Sequence, residues 1–209
     1  MNINEYQNYH ETKAHTSAEF PYNTYLCSIP LDFPGVPLHW HDELELVVIK
    51  RGQGFVSVTL ISVWFTVEIL LLFPLDVSMP SNRMILLKWN YENIIFKPDL
   101  LSSGANDLCM IQYIVPLLDG SLPIEYFLTP ALGSFEALSN CIRQIDLVCA
   151  DQTPGWQLAV KSSLFNFFFL LISESQKKTV STYSNSKSLE KMKTVFKIRR
   201  KSLYRKTND

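Results

Sequence analysis

The sequence predicts an α+β protein in which a sheet of short strands is followed by an α-helical hairpin. Three observations carry this. Between Tyr22 and Val58 the segments YNTYLCSI, LELVVIK and FVSV are rich in β-branched, aromatic and aliphatic residues, and the turn-like Arg51-Gly52-Gln53-Gly54 separates the last two. After about residue 125 the apolar spacing changes to three and four, so that Phe135, Leu138, Ile142, Ile145 and Cys149 share one face of a helix. Pro154 and Gly155 break that helix ahead of WQLAVKSSLFNFFFLLISE, whose second half is apolar nearly all round.

Residues 1–19 are polar and aperiodic, which predicts a mobile arm with His10 and His15 in water. The turn at Arg51–Gly54 makes a hairpin of the second and third β segments. A further segment, YENIIF, ends at Lys97-Pro98, where proline cannot donate to a ladder. In the second helix Pro154 suits the first turn, where its missing N–H costs nothing. Two helices joined by a short loop after a β body form a hairpin that packs on a barrel or on another subunit. From Lys177 to Ser188 the composition is that of a linker.

Composition excludes several classes. Of 209 residues, 47% are hydrophobic and 19% charged, a globular balance that rules out wholesale disorder. Cys27, Cys109, Cys141 and Cys149 have no metal-like spacing, and the N-terminal residues lack the apolar run of a secretory signal, so a cytoplasmic location is expected. The apolar run from Val58 to Phe73 is interrupted by Glu68 and is shorter than the roughly 20 residues that span a bilayer, so no membrane segment is expected. Net charge is −1, yet nine of the 19 Lys and Arg residues lie between Lys187 and Lys206, where Glu190 is the sole acid. A tail of that kind is solvated or attracts nucleic acid without sequence preference.

The stretch PLHWHDELELVVIKRG carries the chemistry. On one regular strand His39, His41, Glu43 and Glu45 fall on one face, while Trp40, Leu44 and Leu46 face the other way. Two imidazoles and a carboxylate together can bind a divalent metal or hydrogen-bond a polar ligand.

The spacing His-x-His-x3-Glu-x6-Gly resembles the first cupin motif, and IPLDFPGVPLHWHDELELVVIKRGQG resembles the N-terminal sensor domain of AraC-type transcription regulators. YENIIFKPDLL and the helical pair through Ile172 are similar to the same group, so the resemblance spans about residues 20–200 with one gap. It implies a cupin-like β-barrel over 20–125, a helical dimerisation hairpin over 126–176 and a linker with basic tail over 177–209. It further implies a homodimer that binds a small-molecule effector, often a sugar, through His39, His41 and Glu45, and that dimerises through Phe135, Leu138, Ile142 and Ile145. Regulators of this kind usually hold an organic effector and are not enzymes, so no catalytic residue and no cofactor is expected. A divalent metal on His39, His41 and Glu45 is the alternative, as in a small cupin metalloenzyme.

The sequence departs from the family in two places. A second cupin motif, resembling Gly-Asp-x4-Pro-x3-His, should follow the hairpin; Pro74 is present, but Ser78 stands where the histidine belongs, and Val67–Pro80 lacks strand alternation. Regrouping the codons of VEILLLFPLDVSMP, each new codon taking the last base of one and the first two of the next, permits SGDIIIISPGCIHA, which supplies the Gly-Asp, proline and histidine of the second motif with one extra residue between Asp and Pro. The opposite shift turns RRKSLYRKTN (Arg199–Asn208) into EENLYTEKLT, which resembles the start of the first helix of the AraC-type DNA-binding domain. The expectation is a frameshifted product, aberrant over 59–90 and after Lys197, without the helix-turn-helix pair and without specific DNA binding of its own.

Overall fold

The structure, a computed structural model, describes residues 10–32, 39, 41–58, 61–65, 70–73, 89–104 and 107–179. Strands β1 (Tyr22–Ile29), β2 (Leu44–Gly52), β5 (Leu70–Phe73), β6 (Trp89–Phe96) and β7 (Phe127–Leu128) form one antiparallel sheet in the order β1-β6-β2-β5-β7. β3 (Gly54–Val58) and β4 (Ile61–Phe65) pair as a separate hairpin. The fold is thus mixed α+β, as the sequence predicts. The closed barrel is not: among the described residues the sheet is open, with β1 and β7 as its edges. Much of the stretch expected to be aberrant, including residues 74–88, lies outside the described residues, as does the basic tail.

β2 explains the layering. Its first six residues, LELVVI, are all buried, which requires cover on both faces and accounts for a nearly continuous apolar run in place of strict alternation. Leu44, Leu46 and Val48 join Leu70, Leu72, Ile94 and Phe96 in a core completed by the helices. Glu45, Val47 and Ile49, the alternate residues, face the other way.

Beyond β6 a 3-10 turn (Pro98–Leu101) and a π-turn (Met110–Ile114) lead into α1 (Val115–Leu118), then β7 and the two long helices α2 (Phe135–Asp151) and α3 (Trp156–Thr179). The period read from the sequence is realised in α2, where Phe135, Leu138, Ile142 and Ile145 are buried. They are buried within the chain itself, against the sheet and α3, so this stripe is intramolecular core and not a surface offered to a second subunit. Periodicity marks which face is covered and says nothing about what covers it. α2 ends at Gln152, held in the left-handed conformation with φ 46°, and its N–H closes on the Val148 carbonyl. Gly155 follows with φ 89°, which no helix tolerates, so α3 starts at Trp156 and leaves Pro154 in the turn before it.

α3 is long and apolar enough by composition to cross a membrane. Here Val160, Leu164, Phe167, Phe168 and Leu171 fill the core, with Phe168 edge-on to Phe96, while Leu158, Phe165 and Phe169 remain exposed. A polar bridge also ties sheet to helix. A register shift between Ile49 and Arg51 leaves Lys50 as the extra residue of a β-bulge. Its Nζ reaches Glu92 on β6 at 2.8 Å and Asp146 on α2 at 3.0 Å. The Thr24 hydroxyl donates to the other Glu92 oxygen at 2.7 Å. Burial and the Glu92 charge push the Asp146 carboxyl up, with Lys50 opposing them.

Candidate functional site

The chain bends at Asp42 and Glu43 and enters β2 at Leu44, so His39, His41 and Glu43 precede the strand instead of lying along it. The bend folds His41 back over Glu45, whose carboxylate lies 3.3 Å from His41 Nε2. Glu45 itself is fixed by main-chain pairing on both sides, opposite Ile95 of β6 and Phe73 of β5. The backbone N–H of Glu43 donates to His41 Nδ1 at 3.3 Å, so in the neutral imidazole the proton sits on Nε2 and is donated to Glu45. The Glu43 carboxylate is 3.3 Å from Nδ1 and accepts a hydrogen bond from it once the ring is charged. Burial pulls the His41 pKa down, but the hydrogen bond that the ring donates to Glu45 and the charges of Glu45, Glu43 and Glu11 outweigh it, so the net shift is upward.

His39 comes to the same place. One ligand atom from each of His39, His41 and Glu45 falls within a set spanning no more than 4.8 Å, with the His39 and His41 rings 5.7 Å apart. Trp40, between them, lies outside the described residues. The three residues that the sequence singles out are therefore brought together, although not by a single straight strand.

Two further residues arrive from the arm. Glu11 lies 3.8 Å from His39 Nε2 and 3.5 Å from His15 Nε2. The His15 ring stands 5.4 Å from that of His41 and edge-on to Tyr25. The arm is pinned at this point because the Asn23 amide donates to the His15 carbonyl at 2.8 Å. The side chain of His15 is only 9% exposed, contrary to the expectation of a solvated histidine, and neither ring nitrogen makes a hydrogen bond. Nothing local predicts this contact. The one hint in the sequence is that Glu11 and His15 repeat the residue types of the HWHDELE segment.

The cluster thus holds three imidazoles and three carboxylates, Glu11, Glu43 and Glu45, on the side of β2 away from the helices. With neutral rings its formal charge is −3, which suits a cation or a hydroxyl-rich neutral ligand and repels an anion. Two imidazoles and a carboxylate are also a donor set for a divalent ion of borderline softness, and their mutual distances fit one. A half-open cleft of about 350 Å³, lined by Leu26, Cys27, Ser28, Lys50, Arg51, Asn90 and Tyr91, shares no residue with this cluster. No protein-family model matches the sequence, and no curated protein matches it.

Proposed function

We propose that the chain is the effector-sensing part of an AraC-type transcription regulator, a cytoplasmic homodimer whose cupin-like domain binds a small, neutral, hydroxyl-rich molecule such as a sugar. In this proposal the segments over 59–90 and after Lys197 are read out of frame, and the sensing part has no catalytic role. One observation carries the sensing assignment beyond the resemblance: consecutive residues of β2 serve opposite faces. Glu45 enters the His39–His41 cluster while Leu46 packs in the core shared with α2 and α3. A ligand that shifts Glu45 therefore acts on the strand that carries the helical hairpin. The pairing surface of the proposed homodimer must lie outside the buried α2 stripe.

A thermal-shift screen of sugars and related polyols tests this. A true effector at 100 times its Kd stabilises the fold by about 2.7 kcal/mol, and the gain should vanish in His41→Ala. Absence of any stabilising compound across the class would count against sensing.

The second reading is a small cupin metalloenzyme acting through His39, His41 and Glu45, favoured by the close approach of their ligand atoms. The helical hairpin, which such an enzyme does not need, speaks against it. Turnover of a substrate by metal-loaded protein would favour this reading over the first.

A further inference from the structure

We propose that Asp146, Glu92 and Lys50 form a proton-operated latch between the β-sheet and α2, closed when Asp146 carries a proton and weakened when it ionises. The inference goes beyond the sensing assignment and depends on no ligand.

The first ground is a charge imbalance. Lys50 Nζ lies 2.8 Å from Glu92 and 3.0 Å from Asp146, so one ammonium serves two carboxylates. The Glu92 side chain is only 7% exposed, and the Thr24 hydroxyl already occupies one of its oxygens. With both acids ionised, one negative charge is left in excess at a packed junction of β2, β6 and α2, where solvent screens poorly. The other groups packed there do not relieve it. Tyr22 of β1 is hydrogen-bonded to Cys149 of α2, and burial pushes both the phenol and the thiol up, so both stay neutral. Burial disfavours the Lys50 ammonium, but hydrogen bonds to Glu92 and Asp146 and their charges outweigh it, so Lys50 stays charged.

The second ground is a contact between two acceptors. Asp146 Oδ1 is buried and makes no hydrogen bond among the described residues, while the Asp146 carboxyl lies within hydrogen-bonding reach of Glu92. Two carboxylates bond to each other only through a proton. A proton on Asp146 turns the repulsion into an O–H donated to Glu92 and cancels the excess charge. It is taken from solvent, which reaches the Asp146 side chain at 32% exposure. Burial and the Glu92 charge hold the Asp146 carboxyl above its ordinary value, with Lys50 opposing them. A carboxyl raised in this way adds stability that is complete below its unfolded pKa and is lost as pH rises through the folded one, so acid closes the latch. Lys50 sits on the same strand as Glu45, so the latch fastens to α2 the strand that enters the histidine cluster.

The test is a pH titration of the full chain, read by the carbon-13 resonance of the Asp146 carboxyl and by amide exchange over α2 corrected for its intrinsic pH dependence. The carboxyl should titrate above its ordinary value. Protection of the amides around Asp146 should fall between pH 5 and pH 7.5, by up to about tenfold for each pH unit by which the folded Asp146 pKa exceeds the ordinary one. Asp146→Asn, whose amide donates to Glu92 as the acid does, should keep these amides protected at both pH values. Glu92→Gln should return the Asp146 titration toward its ordinary value, and the exposed Asp151→Asn at the end of α2 should behave as the parent. His41 also titrates, on the other face of the sheet, so the comparison with Asp146→Asn isolates the latch. Circular dichroism monitors the fold of each variant; should Asp146→Asn not fold, the parent carboxyl titration and Glu92→Gln decide. An Asp146 carboxyl that titrates at or below its ordinary value, or a folded Asp146→Asn whose α2 protection falls with pH as in the parent, overturns the inference.

Discussion

Replacing Leu138 with alanine separates two roles for the apolar stripe of α2. Leu138 is fully buried, packed among residues of β2, β6 and α3. Truncation removes about three carbons' worth of burial, about 2.4 kcal/mol at about 0.8 kcal/mol per methylene. A residual cavity on the order of 50 Å³ adds about 1.2 kcal/mol, since rigid helix and sheet relax only in part. The sum, about 3.6 kcal/mol, is a large share of the roughly 5–15 kcal/mol that holds a domain together. In a chain of 209 residues it corresponds to a fall in Tm of roughly 7–14 °C. Urea unfolding of the monomeric species should show the midpoint falling with the slope unchanged. Phe169→Ala, at an exposed position on α3, should cost less than about 0.5 kcal/mol. If Leu138→Ala costs under about 1 kcal/mol yet abolishes self-association in sedimentation velocity, the stripe is an interface and the core assignment is wrong.

Lys50→Met leaves Glu92 and Asp146 facing each other without their shared cation; since the Lys50 side chain is 35% exposed, the cost at neutral pH is about 1–2 kcal/mol, below the range for a fully buried pair. A carboxyl whose folded pKa is raised gives stability that is complete below its unfolded pKa and is lost as pH rises through the folded one. Without Lys50 the Asp146 pKa climbs further, so the variant should regain stability between pH 7.5 and pH 5, and an equal deficit at both, by urea midpoint, would refute the bridge. His41→Ala should weaken effector binding by about 1–3 kcal/mol in a calorimetric titration with the far-ultraviolet spectrum retained, and undiminished affinity would remove His41 from the site. In an anisotropy titration at physiological salt the basic tail over 177–209 should give weak DNA binding that fades as salt rises, with no preference for a candidate operator over scrambled DNA; a salt-resistant, sequence-dependent complex would contradict the reading of that tail as a sequence-independent charge cluster.

How much of this was legible depended on the range of the interaction. YNTYLCSI became β1 as written, because apolar content acts within a few residues; the chain turns at Arg51–Gly54 as expected, but β2 pairs with β5 and β6 and β3 with β4, so the hairpin expected across that turn is not formed. The α2 face was readable from spacing alone, but its partner was not. The pairing of β1 with β6, residues almost 70 apart in sequence, leaves no local trace, and neither does the bulge that aims Lys50 at Asp146. At the site, His39, His41 and Glu45 stood out because they share a short segment. Glu11 and His15 did not, because the contacts of the arm with β1 and the His41 bend are tertiary.

β5 is an ordered strand inside the segment proposed to be read out of frame, and the genetic code accounts for it. A codon with thymine at its second position encodes an apolar residue. Leu70, Leu71, Leu72 and Phe73 can each be written with thymine at both first positions, and the regrouped codons then also have thymine in the middle, giving the isoleucines of SGDIIII. Both frames therefore present four apolar residues at the same place. Sheet pairing is a main-chain interaction that asks of a buried strand chiefly that its side chains be apolar and of suitable size. Leu70 and Leu72 accordingly enter the core beside Leu46 and Val48, and Leu71 takes the alternate face opposite Val47. The frames diverge where polar identity matters. At Glu68-Ile69 the regrouped sequence supplies Gly-Asp, and it places a histidine across Ser78 and Met79, where hydrogen-bonding and ligand chemistry tolerate no apolar substitute. A strand can therefore survive a shift that destroys the motif around it, and resequencing the gene tests this: an uninterrupted natural frame that encodes VEILLLFPLDVSMP as written would sink the proposed change of frame.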